Sequence, residues 1–385
     1  MKELFGKNGM VWCVMRKKYL IPLIIAEVII GSLAVVYIVS AFWHKPLGPT
    51  LGLTGSASGQ EINSPLTASG APGDGSAVQS AAKPKSLLGQ ITDLLLPKAS
   101  DSNALCGGPS AMTILLVGSD EREDDYLYGL ADSIRIVRVD FTAPKVMILD
   151  IPRDLWVSIP DISDHYGIAN GKLNQAYFFG NPGMGYYDGP GEGPGLLART
   201  LELNYGLQVD HYLAVDMQTF VGMIDAIGGI DIQVTSRIDL NEKQDGANPD
   251  YVYEPGTHHL DGTQALKLAM NRNPTIFQRA RYQNIVLRAL QDKLLSPSTI
   301  PHVPELISQF SKSVQTDLSP SDISKLVCIG KSLTKDNTDF VAFPDDMFTG
   351  GHTYDPYRKV NTYTMSVDNE LMRSYLKDFM NGIWR

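Results

Sequence analysis

Three short apolar runs between Thr113 and Val157 constrain this chain more than any other stretch. They cover residues 114–117, 134–139 and 146–151, are rich in β-branched side chains, and are separated by acidic or turn-forming segments. Runs of that length and composition read as strands. Asp120 follows the first run, Asp132 precedes the second, and Pro152-Arg153-Asp154 follows the third. Strand ends that bring Asp120, Asp132 and Arg153 together would make a site for a metal ion and a phosphate.

Helical patterns interleave with these and later strands. Residues 172–177 open a helix, and the glycine-rich stretch 183–195 reads as a loop leading into a helix over 196–205. No G-K-S/T follows those glycines, so they do not make a nucleotide-binding loop. Residues 209–234 read strand, helix, strand: Phe220, Met223, Ile224 and Ile227 recur at helical spacing, and Gly228-Gly229 ends the helix. Residues 265–295 read as one helical region carrying Arg272, Arg279, Arg281, Gln283 and Arg288. From Val303 to Arg385, helical and strand-like pieces alternate. The expected fold class is therefore α/β, a mixed central β-sheet sandwiched by helices. His258 and His259 have no third ligand at metal spacing and read as part of a solvated turn. Cys13, Cys106 and Cys328 form no C-x-x-C pair. Cys328 reads as a buried thiol, although an oxidising compartment would also allow a Cys106–Cys328 disulfide.

The N-terminal part reads differently. Residues 1–18 are short and basic, ending in Arg16-Lys17-Lys18. Residues 19–43 are 25 residues with one charge, Glu27, and carry Tyr19, Tyr37, Phe42 and Trp43 near their ends. That suffices to cross a bilayer, and the basic flank places the N-terminus in the cytoplasm. A cleaved signal peptide is the rival reading, since Val39-Ser40-Ala41 resembles a cleavage site, but its apolar core would be shorter. Residues 44–108 are rich in Gly, Ser and Pro and read as a linker that lets an extracellular domain, 109–385, stand off the membrane. Within that linker, 86–97 has the pattern of a short amphipathic helix. A net charge of −9 argues against a general nucleic-acid binder.

The motifs, taken in order, resemble the LytR–CpsA–Psr family, bacterial membrane-anchored enzymes that move glycopolymers from a polyprenyl-pyrophosphate carrier onto the cell wall. Gly118-Ser119-Asp120-Glu121-Arg122 matches G-x-D-x-R, Leu130-Ala131-Asp132-Ser133 is similar to R-S-D-T, and residues 151–154 read I-P-R-D. Residues 172–177 resemble K-I-N-x-A-Y, and Arg272, Arg279 and Gln283 fall on the family's arginine-bearing helix. The resemblance implies an α-β-α domain in which Asp120 and Asp132 hold Mg²⁺ or Mn²⁺. It also implies that Arg153, Arg272 and Arg279, with Arg122, grip a diphosphate while Gln283 orients a phosphate oxygen or a sugar hydroxyl. The implied partners are a polyprenyl-pyrophosphate-linked glycan, peptidoglycan or another wall acceptor, and the membrane. The chain departs from the pattern at four polar positions, which read Leu130, Met270, Ile276 and Tyr282. Those departures keep two alternatives open: a non-catalytic binder or regulator of envelope assembly, and a phosphohydrolase of the carrier. The general base is also open; Asp154 is one candidate, and a plain partner for Arg153 is its other reading. An apolar cleft for the prenyl chain is implied too, with Leu130, Met270 and Ile276 as candidate lining.

Overall fold

The structure, a computed structural model, describes residues 39–52, 103–120, 129–162, 167–241, 248–271, 276–310 and 313–384. The three apolar runs are strands β1 (Ala111–Ser119), β2 (Ala131–Asp140) and β3 (Lys145–Asp150), joined as an antiparallel meander. Next come the short pair β4 (Trp156–Ser158) and β5 (Asn170–Lys172), helices α1 (Leu173–Gly180) and α2 (Glu192–Tyr205), strand β6 (His211–Asp216) and helix α3 (Met217–Ala226). A smaller group follows, with β7 (Ile230–Val234), β8 (Ile238–Asp239), β9 (Val252–Tyr253), β10 (Gly256–Leu260), α4 (Gly262–Met270) and α5 (Ile276–Leu294). The C-terminal part holds α6 (Val303–Phe310), β11 (Val314–Thr316), α7 (Pro320–Gly330), β12 (Thr338–Val341), the hairpin β13 (Phe348–Asp355) and β14 (Val360–Val367), and α8 (Asn369–Met380).

Six strands form the central sheet in the order β11-β6-β1-β2-β3-β12. Strand β6 pairs parallel with β1 and β12 parallel with β3, while the other pairs are antiparallel. This is the mixed sheet expected from the alternating elements. Side-chain alternation gives each face its own core. On one face Leu115, Ile134, Ile136 and Leu149 pack with Phe179 of α1 and Leu201 of α2. On the other, Met112, Ile114 and Val139 pack with Leu318 and Ile329. A third core holds Ile224, Ile230, Ile232, Leu260, Leu268 and Val286, and so binds the β7–β10 pair to α3, α4 and α5.

Local chemistry explains most boundaries and several differences from expectation. Asp216 caps α3 by accepting from Thr219 N, and Asp261 forms a reciprocal capping box with Gln264 at the start of α4. The helical region expected over 265–295 is two helices: Asn271 ends α4 in an extended conformation, and Pro274 lies in the interval. Helix α2 begins at Glu192 rather than at 196, with Gly191 at φ +77° as its N-cap. A Cβ at Gly195 would collide with the Pro190 carbonyl oxygen, so the glycines shape a helix entry and not only a loop. His258 and His259 lie on strand β10, not in a turn; His259 Nδ1 is 2.8 Å from Asp231 Oδ1 and exposed. Cys328 is not a free thiol, because it is bonded to Cys106 across 222 residues and ties the segment before β1 to α7.

Part of the stretch read as a linker lies on the domain. Leu47 N donates to Leu318 O at 3.3 Å, and Leu51 is buried in the main core. Among the described residues no helix is long and apolar enough to cross a membrane. Residues 19–38 of the expected anchor, with Glu27, and the segment 86–97 lie outside the described residues.

Candidate functional site

The site forms where β1, β2 and β3 end on the same side, and a bulge sets it up. Gly118 pairs with Ser133 but Ser119 pairs with Ala131, so Asp132 is the extra residue of β2. A bulge re-aims side chains at a strand end. Here Ala131 and Ile134 both enter the main core, while Asp132 and Ser133 both line the pocket. Without that extra residue, strict alternation would put Asp132 on the core side.

Arginines from two elements close on Asp132. Arg153, just past β3, forms an ion pair through Nη1 with Asp132 Oδ1, and Arg279 of α5 places Nη1 3.7 Å from Asp132 Oδ2. Arg153 Nε lies 3.4 Å from Asp154 Oδ2, and Lys172 Nζ reaches Asp154 Oδ1 at 2.9 Å. Asp154 is thus a partner of Arg153, as its structural reading had it. Lys172 is fixed in turn, since its backbone N donates to Gln175 Oε1 at 2.7 Å and Gln175 Nε2 donates to Asp355 of the hairpin at 2.8 Å.

One site residue escaped the sequence reading. Arg135, on the central strand β2, has a side chain only 1% exposed. Its Nη1 donates to Asn284 Oδ1 at 2.7 Å, and its Nη2 donates to Gln283 Oε1 at 3.1 Å and to Ala280 O at 3.4 Å. Asp150 Oδ1 is its carboxylate partner at 3.4 Å. Burial pushes the Arg135 guanidinium below its ordinary value, and the Asp150 charge opposes that shift. The signal for this residue was a cation between Ile134 and Ile136 in a strand of a sheet covered on both faces.

The remaining expectations fare unequally. Gln283 lies at the site, where its Oε1 also accepts from Ser133 Oγ at 3.4 Å. Asp120 exchanges two bonds with Leu130: its backbone N donates to Leu130 O at 3.0 Å, and its Oδ1 accepts from Leu130 N at 2.5 Å. It stands at the same strand end as Asp132 but closes the base of the β1–β2 loop. Arg122 and Arg272 lie outside the described residues. Among the described residues no group of three or more His, Cys, Asp or Glu side chains is placed to hold a metal. Asp120 and Asp132 alone suit Mg²⁺ only in its usual manner, with one or two carboxylates and the other ligands from phosphate and water.

A second hollow adjoins the polar one. An apolar cavity of about 230 Å³ lies between the sheet and α3, α4 and α5. Leu116 and Leu213 form its floor, and Phe220, Met223, Leu266 and Leu290 form its walls. The two hollows share Asp132, Ser133, Arg279 and Gln283.

A model of the LytR_cpsA_psr family matches residues 96–373. The chain belongs to this family. It is 31% identical over 233 residues to the polyisoprenyl-teichoic acid–peptidoglycan teichoic acid transferase TagU of Oceanobacillus iheyensis, covering 60% of this chain and 66% of that one. It is 28% identical over 216 residues to the regulatory protein MsrR of Staphylococcus aureus, covering 55% and 58% of the two chains. The aligned region thus spans somewhat less than two thirds of these relatives. The crystal structure of B. subtilis TagV superposes with a TM-score of 0.53 at 26% identity, covering 71% of this chain and 98% of that one.

Three of the positions that depart from the LytR_cpsA_psr pattern are placed by the structure. Tyr282 is buried in the third core and Leu130 packs against the main core, so neither faces the polar pocket. Met270 lines the apolar cavity, one of the three placements expected for a prenyl-lining residue.

Proposed function

We propose that this protein transfers a glycopolymer from a polyprenyl-pyrophosphate carrier to a hydroxyl of peptidoglycan or another wall glycan. One observation carries the reading: an arginine-lined polar pocket adjoins an apolar cavity and shares four lining residues with it. That pairing suits an amphiphile whose diphosphate head joins a long apolar tail. Family membership and the likeness to a teichoic acid transferase support the same substrate class.

The acceptor oxygen attacks the phosphorus next to the glycan, the bond from that phosphorus to the bridging oxygen breaks, and polyprenyl phosphate leaves. The hydroxyl proton passes to solvent or a nearby carboxylate. Arg153 and Arg279 hold non-bridging oxygens and oppose the charge that grows on the leaving phosphate. Arg272, which follows α4, and Arg122, in the β1–β2 loop, would add to that grip. Gln283 donates to a phosphate oxygen or a sugar hydroxyl. Asp120 and Asp132 would hold Mg²⁺ or Mn²⁺, which neutralises diphosphate charge when bound. The cavity under α3 and α4 takes the prenyl chain. Residues 19–43 anchor the chain with the domain outside the cell membrane.

The test is transfer by the full-length protein, given a synthetic lipid-pyrophosphate glycan, an acceptor and Mg²⁺. Labelled product above a heat-killed control is expected; none across a range of carriers overturns the reading. A second reading, a carrier-binding protein without turnover, is favoured by one observation: Leu130 and Tyr282 are packed into cores where the family places cations. Tight carrier binding with no transfer and no release of polyprenyl phosphate would establish it. Release without acceptor would point to hydrolysis.

A further inference from the structure

Arg135 lies outside every family motif quoted above, yet it is the most buried cation of the site, at 1% side-chain exposure. Burying a guanidinium on a central strand is costly unless its donors are used. Its partners are Asp150, Ala280 and Gln283, which line the polar pocket, and Asn284. Its Nε is buried and makes no hydrogen bond, and the residue lines the apolar cavity where that cavity meets the pocket.

Two consequences follow for the head-group site. Arg135 and Ser133 both donate to Gln283 Oε1, so neither bond uses the amide Nε2 of this residue, which lines both hollows. Meanwhile the helix position immediately before Gln283, an arginine in the family pattern, is Tyr282, turned into the third core.

We propose that Arg135 is a positioning residue for diphosphate recognition, holding Gln283 by its amide oxygen so that Gln283 meets the head group as a donor. This rests on the transferase reading, because it assumes an anionic head group in the polar pocket. A fixed charge in a water-poor site acts strongly without touching the ligand. Its orientation needs no rearrangement, because Asn284 and Asp150 hold the guanidinium plane.

The test uses full-length protein in detergent micelles, titrated separately with inorganic pyrophosphate and with an uncharged polyprenol. Arg135→Leu is expected to weaken pyrophosphate binding by about tenfold to a hundredfold and, since it only adds apolar surface to the cavity wall, to leave polyprenol binding no weaker. Unchanged pyrophosphate binding, or equal loss of both ligands, overturns the proposal, since equal loss marks a purely structural role. If the leucine variant does not fold, Arg135→Lys carries the test: a flexible ammonium cannot hold Asn284 and Gln283 together. That variant should lose pyrophosphate affinity several-fold with polyprenol unaffected, and wild-type affinity would refute the role. A wild-type protein that binds no pyrophosphate sinks both this proposal and the transferase reading. A wild type that binds, beside an Arg135 variant that binds equally, sinks only the role of Arg135.

Discussion

Asp132, Ser133, Arg279 and Gln283 face two hollows at once, and the hollows differ in how their walls are satisfied. In the polar pocket the cations meet carboxylates within the protein: Arg153 and Arg279 at Asp132, Lys172 at Asp154, Arg135 at Asp150. A diphosphate entering there must take over existing partners, so it gains orientation more than raw affinity. In the cavity, Leu116, Leu213, Phe220 and Leu266 border empty space. An apolar chain there displaces no polar partner and gains from every methylene it buries. On the proposed function the contrast would mean a division of labour, with the tail supplying binding and the head aligned for reaction.

The sharpest way to break this comparison is Arg153→Ala. Transfer is expected to fall by about 10²–10³-fold, while binding of uncharged polyprenol holds; a calorimetric titration beside a radiolabel assay separates the two. Equal loss of both would mean the hollows are not separate. Next in size is the Cys106–Cys328 bond, which lies at α7, outside both sets of lining residues. The Cys106→Ser, Cys328→Ser double variant should lose about 2–4 kcal/mol of stability, read as a lower melting temperature, with both ligands still bound at low temperature. Smaller again is Ala269→Phe, which places a ring in the cavity. It should weaken prenyl-chain binding by about tenfold, 1.4 kcal/mol, and leave inorganic pyrophosphate affinity alone.

The smallest effect concerns pH. Burial pulls the His211 imidazole down, but Asp317, whose Oδ1 is 3.4 Å from Nδ1, together with Asp322 and Asp210, outweighs it and leaves the net shift upward. A raised folded value means a stabilising contribution that is complete below the ordinary histidine value of about 6.5. That contribution is lost as pH rises through the higher folded value. Melting temperature should therefore decline modestly as pH rises above about 6.5, and His211→Gln should flatten the decline; a variant curve parallel to wild type would exclude His211 as its source.

What the sequence made legible, and what it hid, has physical reasons. Strands β1 to β3 were readable because central strands covered on both faces need nearly continuous β-branched runs. Asp132, Arg153, Arg279 and Gln283 were readable because their motifs keep order and spacing, and the fold gathers them. Arg135 was hidden because a cation in a strand ordinarily marks a solvated face, and only the helix α5 lying over it makes this one buried. The bulge at Asp132 left no mark, since an extra residue is visible only against its pairing partner. Strands β13 and β14 were missed because most of β13 is exposed and its Gly350-Gly351 pair lacks strand character. The disulfide was undecidable from spacing, since 222 residues separate its ends and contact at that range depends on the whole fold.

The bond from Leu47 to Leu318 and the burial of Leu51 also fix an altitude. If residues 19–43 are the anchor, only four peptide steps separate Trp43 from Leu47, a reach of no more than about 14 Å. With that anchor, a leash so short would keep the domain skimming the bilayer, and a lipid-borne ligand would need barely to rise from the leaflet to reach it.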